Sequence, residues 1–207
     1  MKIALIDYQA SNLYSIYKSI KDLGSDPYIC NDPKNLKNAD KIILPGVGSF
    51  AKAMKNIVQI GFLEEITNLV LLEKRPLLGI CLGMQLLTES STEDKFTKGL
   101  SFIKGNVENL KLLGCKLKLP HIGWNSLNIK NKSFLFKDIL NNSDFYFANS
   151  FAINNANEAD IIARTNYDID IISVINKENI IGAQFHPEKS SSSGKAFLKN
   201  FLEFKYD

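Results

Sequence analysis

The sequence LLGICLGMQLL, from Leu77 to Leu87, carries the strongest structural signal in this 207-residue chain. Its first half is a short apolar run typical of a strand buried on both faces of a sheet, and its second half has the spacing of an amphipathic helix. Cys81 stands where the two patterns meet, with Gly79 and Gly83 two residues away on either side. A Gly-x-Cys-x-Gly sequence between a strand and a helix is the cysteine version of the nucleophile elbow, a sharp turn that projects one reactive side chain.

The elbow would place the Cys81 thiol at the N-terminus of a helix, where the helix dipole stabilises negative charge on the sulfur. The backbone amide of Leu82 would then point towards an oxyanion formed on an attacked carbonyl group. A buried cysteine without chemistry is the alternative, because free cysteine is among the most buried residue types. On this stretch alone, both interpretations stay open.

Strand and helix patterns alternate around this stretch and predict the fold class. The predicted elements before the elbow are a strand at Ile3–Ile6, a helix from about Asn12 to a stop signal at Gly24, strands at Tyr28–Cys30 and Ile42–Leu44, and helices over Ser49–Glu73 with a break near Gly61. Such alternation predicts an α/β fold with a central, mostly parallel sheet and helices on both faces.

The pattern changes after about Leu100 to shorter β-like runs. The predicted elements of this part are strands within Gly105–Leu112, Asp144–Ala152 and Ile171–Ile175, a buried strand at Ile180–Phe185 and a helix at Lys195–Phe204. We expect the short runs to form a mostly antiparallel extension of the same domain. Because 207 residues suit one large domain with ample core, we expect a single domain over residues 1–207.

Composition excludes several classes of function. The net charge of +3 is small and Lys and Arg are scattered, so nothing indicates a nucleic-acid partner. Three cysteines at unrelated spacings predict neither a disulfide framework nor a metal site, and we expect no cofactor. The N-terminus lacks the pattern of a signal peptide, and no apolar run is long enough to span a bilayer. We therefore expect a cytoplasmic protein without a membrane partner.

A cysteine nucleophile needs a base, and the chain has only two histidines. His186 follows the buried run 180–185 and precedes Pro187 and Glu188. Residues two apart in an extended chain point the same way, and Pro187 favours an extended conformation at His186. The Glu188 carboxylate could then orient the imidazole while its other nitrogen faces the thiol. Cys81 and His186 both follow buried strands, whose carboxyl ends are the usual ligand site of open α/β sheets.

The loop Pro45–Gly48 after the third predicted strand has two functional interpretations. Gly46, Gly48 and Ala51 fit the spacing of a dinucleotide-binding loop, but that motif expects an acidic residue at the end of the next strand, where this chain has Cys81. A glycine-rich loop that completes an oxyanion hole together with the Leu82 amide fits better. A plain strand-to-helix turn remains the structural alternative.

These motifs together resemble the class I glutamine amidotransferases. The resemblance rests on Gly79–Gln85, GICLGMQ, on Gln184–Ser190, QFHPEKS, and on the loop Pro45–Gly48. The stretch Pro120–Asn125, PHIGWN, is similar to the glutaminase subunits of imidazole glycerol phosphate synthase within that family. The likeness runs from Asp7 to the last predicted helix and implies the flavodoxin-like fold of the family.

The resemblance implies a glutaminase mechanism. Cys81 would attack the side-chain amide carbon of L-glutamine, His186 would act as acid and base, and Glu188 would orient it. Val47 and Leu82 would supply the oxyanion-hole amides. The positions that match glutamine-binding residues of the family are Gly48, Gln85, Ser150 and Phe151.

The resemblance also implies a partner. In the family, ammonia passes to a (β/α)8-barrel cyclase subunit, which makes imidazole glycerol phosphate and aminoimidazole carboxamide ribotide in histidine biosynthesis. This chain would form a heterodimer with that subunit. The positions that match the partner side are Asn12, His121, Trp124, Asn125 and Lys189.

The chain departs from the family pattern at two places. Gln9-Ala10-Ser11 replaces the usual glycines, and Asn149-Ser150-Phe151 replaces the usual His-Ser-Tyr. The catalytic residues are unchanged, so the departures bear on the ammonia acceptor. A paralogous glutaminase that supplies ammonia for amidination of a cell-surface sugar is one alternative. The others are a free-standing cysteine hydrolase of related fold and a catalytically silent scaffold subunit.

Overall fold

An eight-stranded sheet runs through the computed structural model, which describes residues 1–9 and 13–206. The strands of the described residues are β1 (Lys2–Ile6), β2 (Asp26–Cys30), β3 (Lys41–Gly46), β4 (Leu77–Cys81), β5 (Ser90–Ser91), β6 (Thr97–Lys98), β7 (Asn106–Asn109), β8 (His121–Ser126), β9 (Asn128–Ile129), β10 (Asp144–Asn149), β11 (Phe151–Asn154), β12 (Ile161–Tyr167), β13 (Ile169–Lys177) and β14 (Ile180–Ala183). The helices are α1 (Leu13–Asp22), α2 (Phe50–Ile60), α3 (Phe62–Thr67), α4 (Leu82–Leu86) and α5 (Ser191–Glu203).

The large sheet has the order β2-β1-β3-β4-β14-β13-β12-β9. Its first five strands are parallel to one another. The remaining three, β13, β12 and β9, extend it in the antiparallel sense. The predicted fold class, a mostly parallel α/β sheet with an antiparallel extension, is confirmed. The first and last strands of the chain lie in this one sheet, so residues from both ends contribute to the same core.

Helices cover both faces of the sheet because strand residues alternate between them. In β1, Ala4 and Ile6 pack in the cluster that contains the buried residues of α2, α3 and α4. Ile3 and Leu5 pack in the opposite cluster, with the buried faces of α1 and α5. None of the helices within the described residues combines the length and apolarity needed to cross a membrane.

The predicted β-like run over Asp144–Ala152 is divided between two sheets. The run Asp144–Ala152 forms two strands that belong to different sheets: β10 pairs with β8, and β11 pairs with β7 in a four-stranded sheet with β5 and β6. The chain changes sheet at Ser150, whose carbonyl oxygen accepts a hydrogen bond from the Leu110 amide at 2.9 Å. Strand-forming residues continue across this point, so the local pattern gives no signal of the change.

The elbow at Cys81 has no intervening loop, because Cys81 ends β4 and Leu82 begins α4. Cys81 has φ 53° and ψ −111°, a conformation that is strained for a residue with a side chain. The neighbouring glycines permit it. A Cβ atom at Gly79 would lie 2.7 Å from the Gly83 carbonyl oxygen, and one at Gly83 would lie 1.7 Å from the Leu44 carbonyl oxygen. The backbone of α4 thus lies directly against β3 and β4.

The C-terminal helix α5 holds the segment that follows β14. A Cβ atom at Gly194 would lie 2.0 Å from the Pro187 carbonyl oxygen, so the helix backbone contacts this segment directly. At the other end of α5, the buried Lys41 ammonium donates to the carbonyl oxygens of Phe201 and Leu202 at 2.6 and 2.7 Å. Because Lys41 begins β3, both ends of α5 are fixed relative to the parallel sheet.

We predict that Gly83→Ala lowers the free energy of unfolding by about 3 kcal/mol or more, because the new methyl group has no space beside the Leu44 carbonyl. Gly24→Ala is the matched control: Gly24 has φ 79° and open space around an added Cβ atom. It should cost only about 1–2 kcal/mol of backbone strain. Urea unfolding monitored by circular dichroism measures both. Equal losses in the two variants would contradict the close approach at Gly83.

Candidate active site

An open cavity of about 440 Å³ lies at the carboxyl ends of β3, β4 and β14. It contains most of the residues that the sequence predicts for catalysis and glutamine binding. Its lining residues are Val47, Gly48, Cys81, Leu82, Gln85, Glu93, Pro120, Ala148, Asn149, Ser150, Phe151, His186 and Lys189. The topology thus brings together residues that lie more than 100 positions apart in the chain, as expected for a parallel sheet whose strand ends meet at one edge.

Hydrogen bonds hold both the backbone and the ring of His186 in a fixed orientation. Its backbone amide donates to the Tyr146 carbonyl oxygen at 2.8 Å, and its carbonyl oxygen accepts from the Ser190 hydroxyl at 2.6 Å. Its Nδ1 lies 2.8 Å from Oε1 of Glu188, and both side chains are buried. Since the carboxylate occupies Nδ1, the other ring nitrogen is the one available to the Cys81 thiol.

Hydrogen bonds control the protonation of His186. Burial alone lowers the pKa of this imidazole, but hydrogen bonds and charge attraction with Cys81 and Glu188 outweigh burial and raise the pKa from 6.5 to about 9. The structure therefore favours an imidazolium at neutral pH, flanked by the sulfur on one side and the carboxylate on the other. This arrangement suits a residue that must give a proton to a leaving group.

Two backbone segments flank the cysteine at the edge of the sheet. Gly46 is the register partner of Cys81 in the β3–β4 pair, so Val47 follows β3 beside the sulfur. Leu82 begins α4 on the other side. Gly48 has φ 93°, a conformation that few other residues adopt. Val47 and Leu82 both line the cavity that contains Cys81.

Comparison with known proteins identifies the family. The family model described as glutamine amidotransferase class-I matches residues 4–204. The chain belongs to the class I glutamine amidotransferase family. The resemblance that the sequence motifs indicate is confirmed, and with it the assignment of the chain as a glutamine amidotransferase.

Within the family, the chain is similar to subunits of one enzyme. It is 44% identical to imidazole glycerol phosphate synthase subunit HisH 1 of Campylobacter jejuni strain RM1221, over 97% of this chain and 98% of that protein. It is 45% identical to subunit HisH of Methanosarcina barkeri strain Fusaro, over 98% of each. It is 43% identical to subunit HisH 2 of Methanococcus maripaludis, over 97% and 98% respectively. At these identities the chain groups with the HisH subunits of the family.

Solved structures of the family share the fold. A glutamine amidotransferase crystal structure superposes with a TM-score of 0.76 at 18% identity, over 97% of each chain. A glutamine amidotransferase of Thermotoga maritima superposes with a TM-score of 0.71 at 14% identity, over 98% of this chain and 96% of that one. The likeness confirms the α/β architecture of the family for this chain.

The family's partner-side positions fall at different depths in this structure. Trp124 is about half exposed, at 52%, and lies edge-on to Tyr146, over whose ring the Lys189 ammonium also lies. His121 is buried and stacks between the rings of Phe147 and Tyr167.

The Nδ2 atom of Asn125 lies 3.2 Å from Nε2 of His121, within hydrogen-bond distance. Of the residues that the sequence predicts for a partner surface, Trp124 and Lys189 are exposed, Lys189 lines the cavity, and His121 is buried. Asn12 lies outside the described residues.

Sequence reasoning missed three residues at the site. Gln184 begins the motif QFHPEKS but was assigned no role; it is fully buried, with its amide nitrogen 3.8 Å from the Cys81 sulfur. Glu93 lines the cavity and accepts from the Phe50 amide at 2.8 Å, but it stands in an irregular stretch without periodicity. Asn149 stood out only as a departure from the family. Its Nδ2 donates to the Phe151 carbonyl oxygen at 2.9 Å.

We predict that the two histidines titrate on opposite sides of the ordinary value. Burial lowers the pKa of His121 from 6.5 to about 4, whereas the pKa of His186 is raised to about 9. The imidazole Cε1 signals in carbon-13 NMR measure both directly, since the chain has no other histidine. Glu188→Gln removes a carboxylate from Nδ1 and should lower the pKa of His186 by about one unit or more, while His121 serves as the internal control.

The free energy of unfolding should depend on pH in the directions that these two pKa shifts require. The raised pKa of His186 stabilises the fold fully below pH 6.5, and this contribution disappears as the pH rises through about 9. The lowered pKa of His121 stabilises the fold above pH 6.5, and this contribution disappears as the pH falls through about 4. In the NMR titration of the preceding prediction, two histidine signals that both titrate near pH 6.5 would refute the site geometry.

Proposed function

We propose that this chain hydrolyses L-glutamine through a Cys81 thioester and passes the ammonia to a (β/α)8-barrel cyclase subunit of imidazole glycerol phosphate synthase. The partner uses it to make imidazole glycerol phosphate and aminoimidazole carboxamide ribotide in histidine biosynthesis. The observation that carries the proposal is Cys81 at a strained elbow with His186 beside it and Glu188 on the far ring nitrogen. The identity to HisH subunits over nearly the whole chain supports the acceptor.

The first half-reaction forms the thioester. The Cys81 sulfur attacks the side-chain carbonyl carbon of glutamine, and the carbonyl oxygen becomes an oxyanion held by the amides of Val47 and Leu82. The His186 imidazolium gives its proton to the amide nitrogen. The C–N bond then breaks, ammonia leaves, and the carbonyl re-forms as a γ-glutamyl thioester.

The second half-reaction hydrolyses the thioester. His186, now neutral, accepts a proton from a water molecule as the water oxygen attacks the thioester carbon. The C–S bond breaks, the electron pair returns to the sulfur, and glutamate leaves. His186 is then an imidazolium again. Glu188 stabilises the imidazolium in both half-reactions because its carboxylate stays on Nδ1.

The cavity offers both charges that an amino-acid backbone requires. Glu93 and Lys189 line it and can contact the α-ammonium and the α-carboxylate of glutamine, respectively. Burial raises the pKa of Glu93. An ammonium group beside the carboxylate would oppose this effect and favour its charged form. Gly48, Gln85, Ser150 and Phe151 line the same cavity and surround the rest of the substrate.

The partner and the setting belong to the same proposal. We propose one domain over residues 1–207 that acts in the cytoplasm as half of a heterodimer. Lys189 is exposed and lines the cavity, and the half-exposed Trp124 lies edge-on to Tyr146, over whose ring the Lys189 ammonium lies; this surface would meet the barrel. His121 and Asn125 would support that surface from within, and Asn12 belongs to the same side on the family pattern. Direct docking would let ammonia pass without entering bulk water.

We predict that a glutamine-analogue electrophile such as a diazoketone labels Cys81 and spares Cys30 and Cys115, because only Cys81 lines the cavity. Cys81→Ala should abolish glutamate release and leave the unfolding midpoint nearly unchanged, since the substitution removes one atom from the edge of the cavity. Peptide mass spectrometry locates the label. Equal labelling of the three cysteines, or glutamate release by Cys81→Ala, would refute the nucleophile.

We also predict that this chain restores histidine-independent growth to a host that lacks its own glutaminase subunit, when a matching barrel subunit is co-expressed. Cys81→Ala is the matched negative control. Asn149 stands where the family usually has histidine and cannot become cationic near neutral pH. We therefore expect slower growth with the natural chain than with Asn149→His.

The outcome that would redirect the proposal is specific. No rescue by either protein, together with loss of the amidine from a surface glycan when the gene is deleted, would favour the sugar amidination pathway. Asn149, which stands where the family usually has histidine, is the departure that bears on this second candidate; the residue lines the substrate cavity, and its Oδ1 is buried without a partner among the described residues.

A further inference from the structure

A row of buried amides leads from the nucleophile to the far wall of the cavity. Nε2 of Gln184 lies 3.8 Å from the Cys81 sulfur, within hydrogen-bond reach of a sulfur acceptor. Oε1 of Gln184 accepts from Nε2 of Gln85 at 3.0 Å. The same Gln85 nitrogen donates to the Phe151 carbonyl oxygen at 3.0 Å. Gln184 is fully buried and Gln85 is 5% exposed, so water does not compete along this row.

The direction of every bond in the row follows from its far end. The Phe151 carbonyl oxygen can only accept, so the group of Gln85 that faces it must be the amide nitrogen. That nitrogen has a second hydrogen, which points to Gln184, so Gln184 must present its oxygen there. The nitrogen of Gln184 then necessarily faces Cys81. One backbone carbonyl therefore determines that the sulfur meets a donor rather than an acceptor.

The row also determines which atom Gln85 offers to a ligand. An amide nitrogen has two hydrogens, and both are used, one by Gln184 and one by Phe151. Its Oε1 has no hydrogen bond among the described residues, and Gln85 lines the cavity. Gln85 can thus accept a hydrogen bond from a ligand but cannot donate one. A carboxamide or ammonium group fits such an acceptor, whereas a carboxylate does not.

We propose that Gln184 is a positioning residue for the reaction: it donates a hydrogen bond to the Cys81 sulfur and holds Gln85 so that its oxygen faces the substrate. The second role rests on the proposed hydrolysis of glutamine, whose side-chain amide and α-ammonium groups carry the matching N–H donors. The first role concerns the sulfur alone and does not depend on the substrate.

A neutral amide suits this position better than a charged group. When Cys81 carries negative charge, the Gln184 N–H stabilises it without adding a proton that would compete with His186. The backbone of Gln184 is fixed as well, because its amide donates to the Ser173 carbonyl oxygen at 2.9 Å. The preceding residue, Ala183, pairs with Ile80 in the neighbouring strand, which places Gln184 next to Cys81.

The test compares Gln184→Met with Gln85→Met, because methionine has a similar length and lacks the amide. Iodoacetamide alkylation of Cys81 at pH 7, followed by mass spectrometry, measures the contact with sulfur. Gln184→Met should slow alkylation about three- to tenfold, the effect of one hydrogen bond. Gln85→Met keeps the Gln184 amide but removes the group that fixes its direction, so it should slow alkylation by less than Gln184→Met does. Ser173→Ala is the matched control, since it disturbs the same strand pair but keeps the backbone bond to Gln184.

Glutamine kinetics measure the second role. Gln184→Met and Gln85→Met should each raise KM about three- to tenfold, and the double variant should raise it no further, because Gln184 acts on the substrate through Gln85. Only variants that lack Gln184 should also lower kcat. Multiplied KM effects in the double variant would overturn the link to Gln85. Unchanged alkylation in Gln184→Met would overturn the contact with sulfur.

These experiments distinguish failure of the proposed function from failure of the proposed role of Gln184. If the natural chain does not hydrolyse glutamine, the proposed function fails, while the alkylation rates still decide the contact of Gln184 with sulfur. If Gln184→Met does not fold, the natural chain supplies the measurement: the Gln184 side-chain NH2 signal in nitrogen-15 NMR should shift when Cys81 is alkylated. An unmoved signal would overturn the proposal.

Discussion

The contact between the α4 backbone and the end of β3 is the constraint on which the site depends. Gly83 lies so close to the Leu44 carbonyl oxygen that no Cβ atom fits between them. This contact brings the helix directly off the strand, and Cys81 takes up the sharp change of direction at a positive φ. His186 and Gln184 reach the sulfur only because β14 lies next to β4 in the same sheet. The strain at one residue is thus supported by tight packing of two glycines.

Much of the fold and the core of the site could be predicted because their signals are local. The elbow needs small residues at two fixed positions around Cys81, and the sequence has glycines there. The pair His186 and Glu188 needs only the geometry of an extended chain with a proline between them. Alternating strand and helix patterns predict the parallel sheet, and the sheet brings the two motifs to the same edge.

The remaining parts of the site depend on contacts without a local signature. Gln85 and Gln184 are 99 positions apart, and neither pattern indicates that one amide orients the other. Glu93 reaches the cavity from an irregular stretch, supported by a hydrogen bond to Phe50 at the start of a helix 43 positions earlier. The switch of sheet at Ser150 likewise depends on which strand each half pairs with. Tertiary pairing, which no local spacing records, decides these features.

The burial of both histidines also shapes the electrical behaviour of the molecule. His121 and His186 are 3% and 4% exposed, and the chain has no others, so the surface carries no imidazole group. Histidine is the side chain whose charge ordinarily changes between about pH 5 and 8. The summed charge of the two imidazoles therefore changes little over that interval, because the pKa of His121 is lowered to about 4 and that of His186 is raised to about 9.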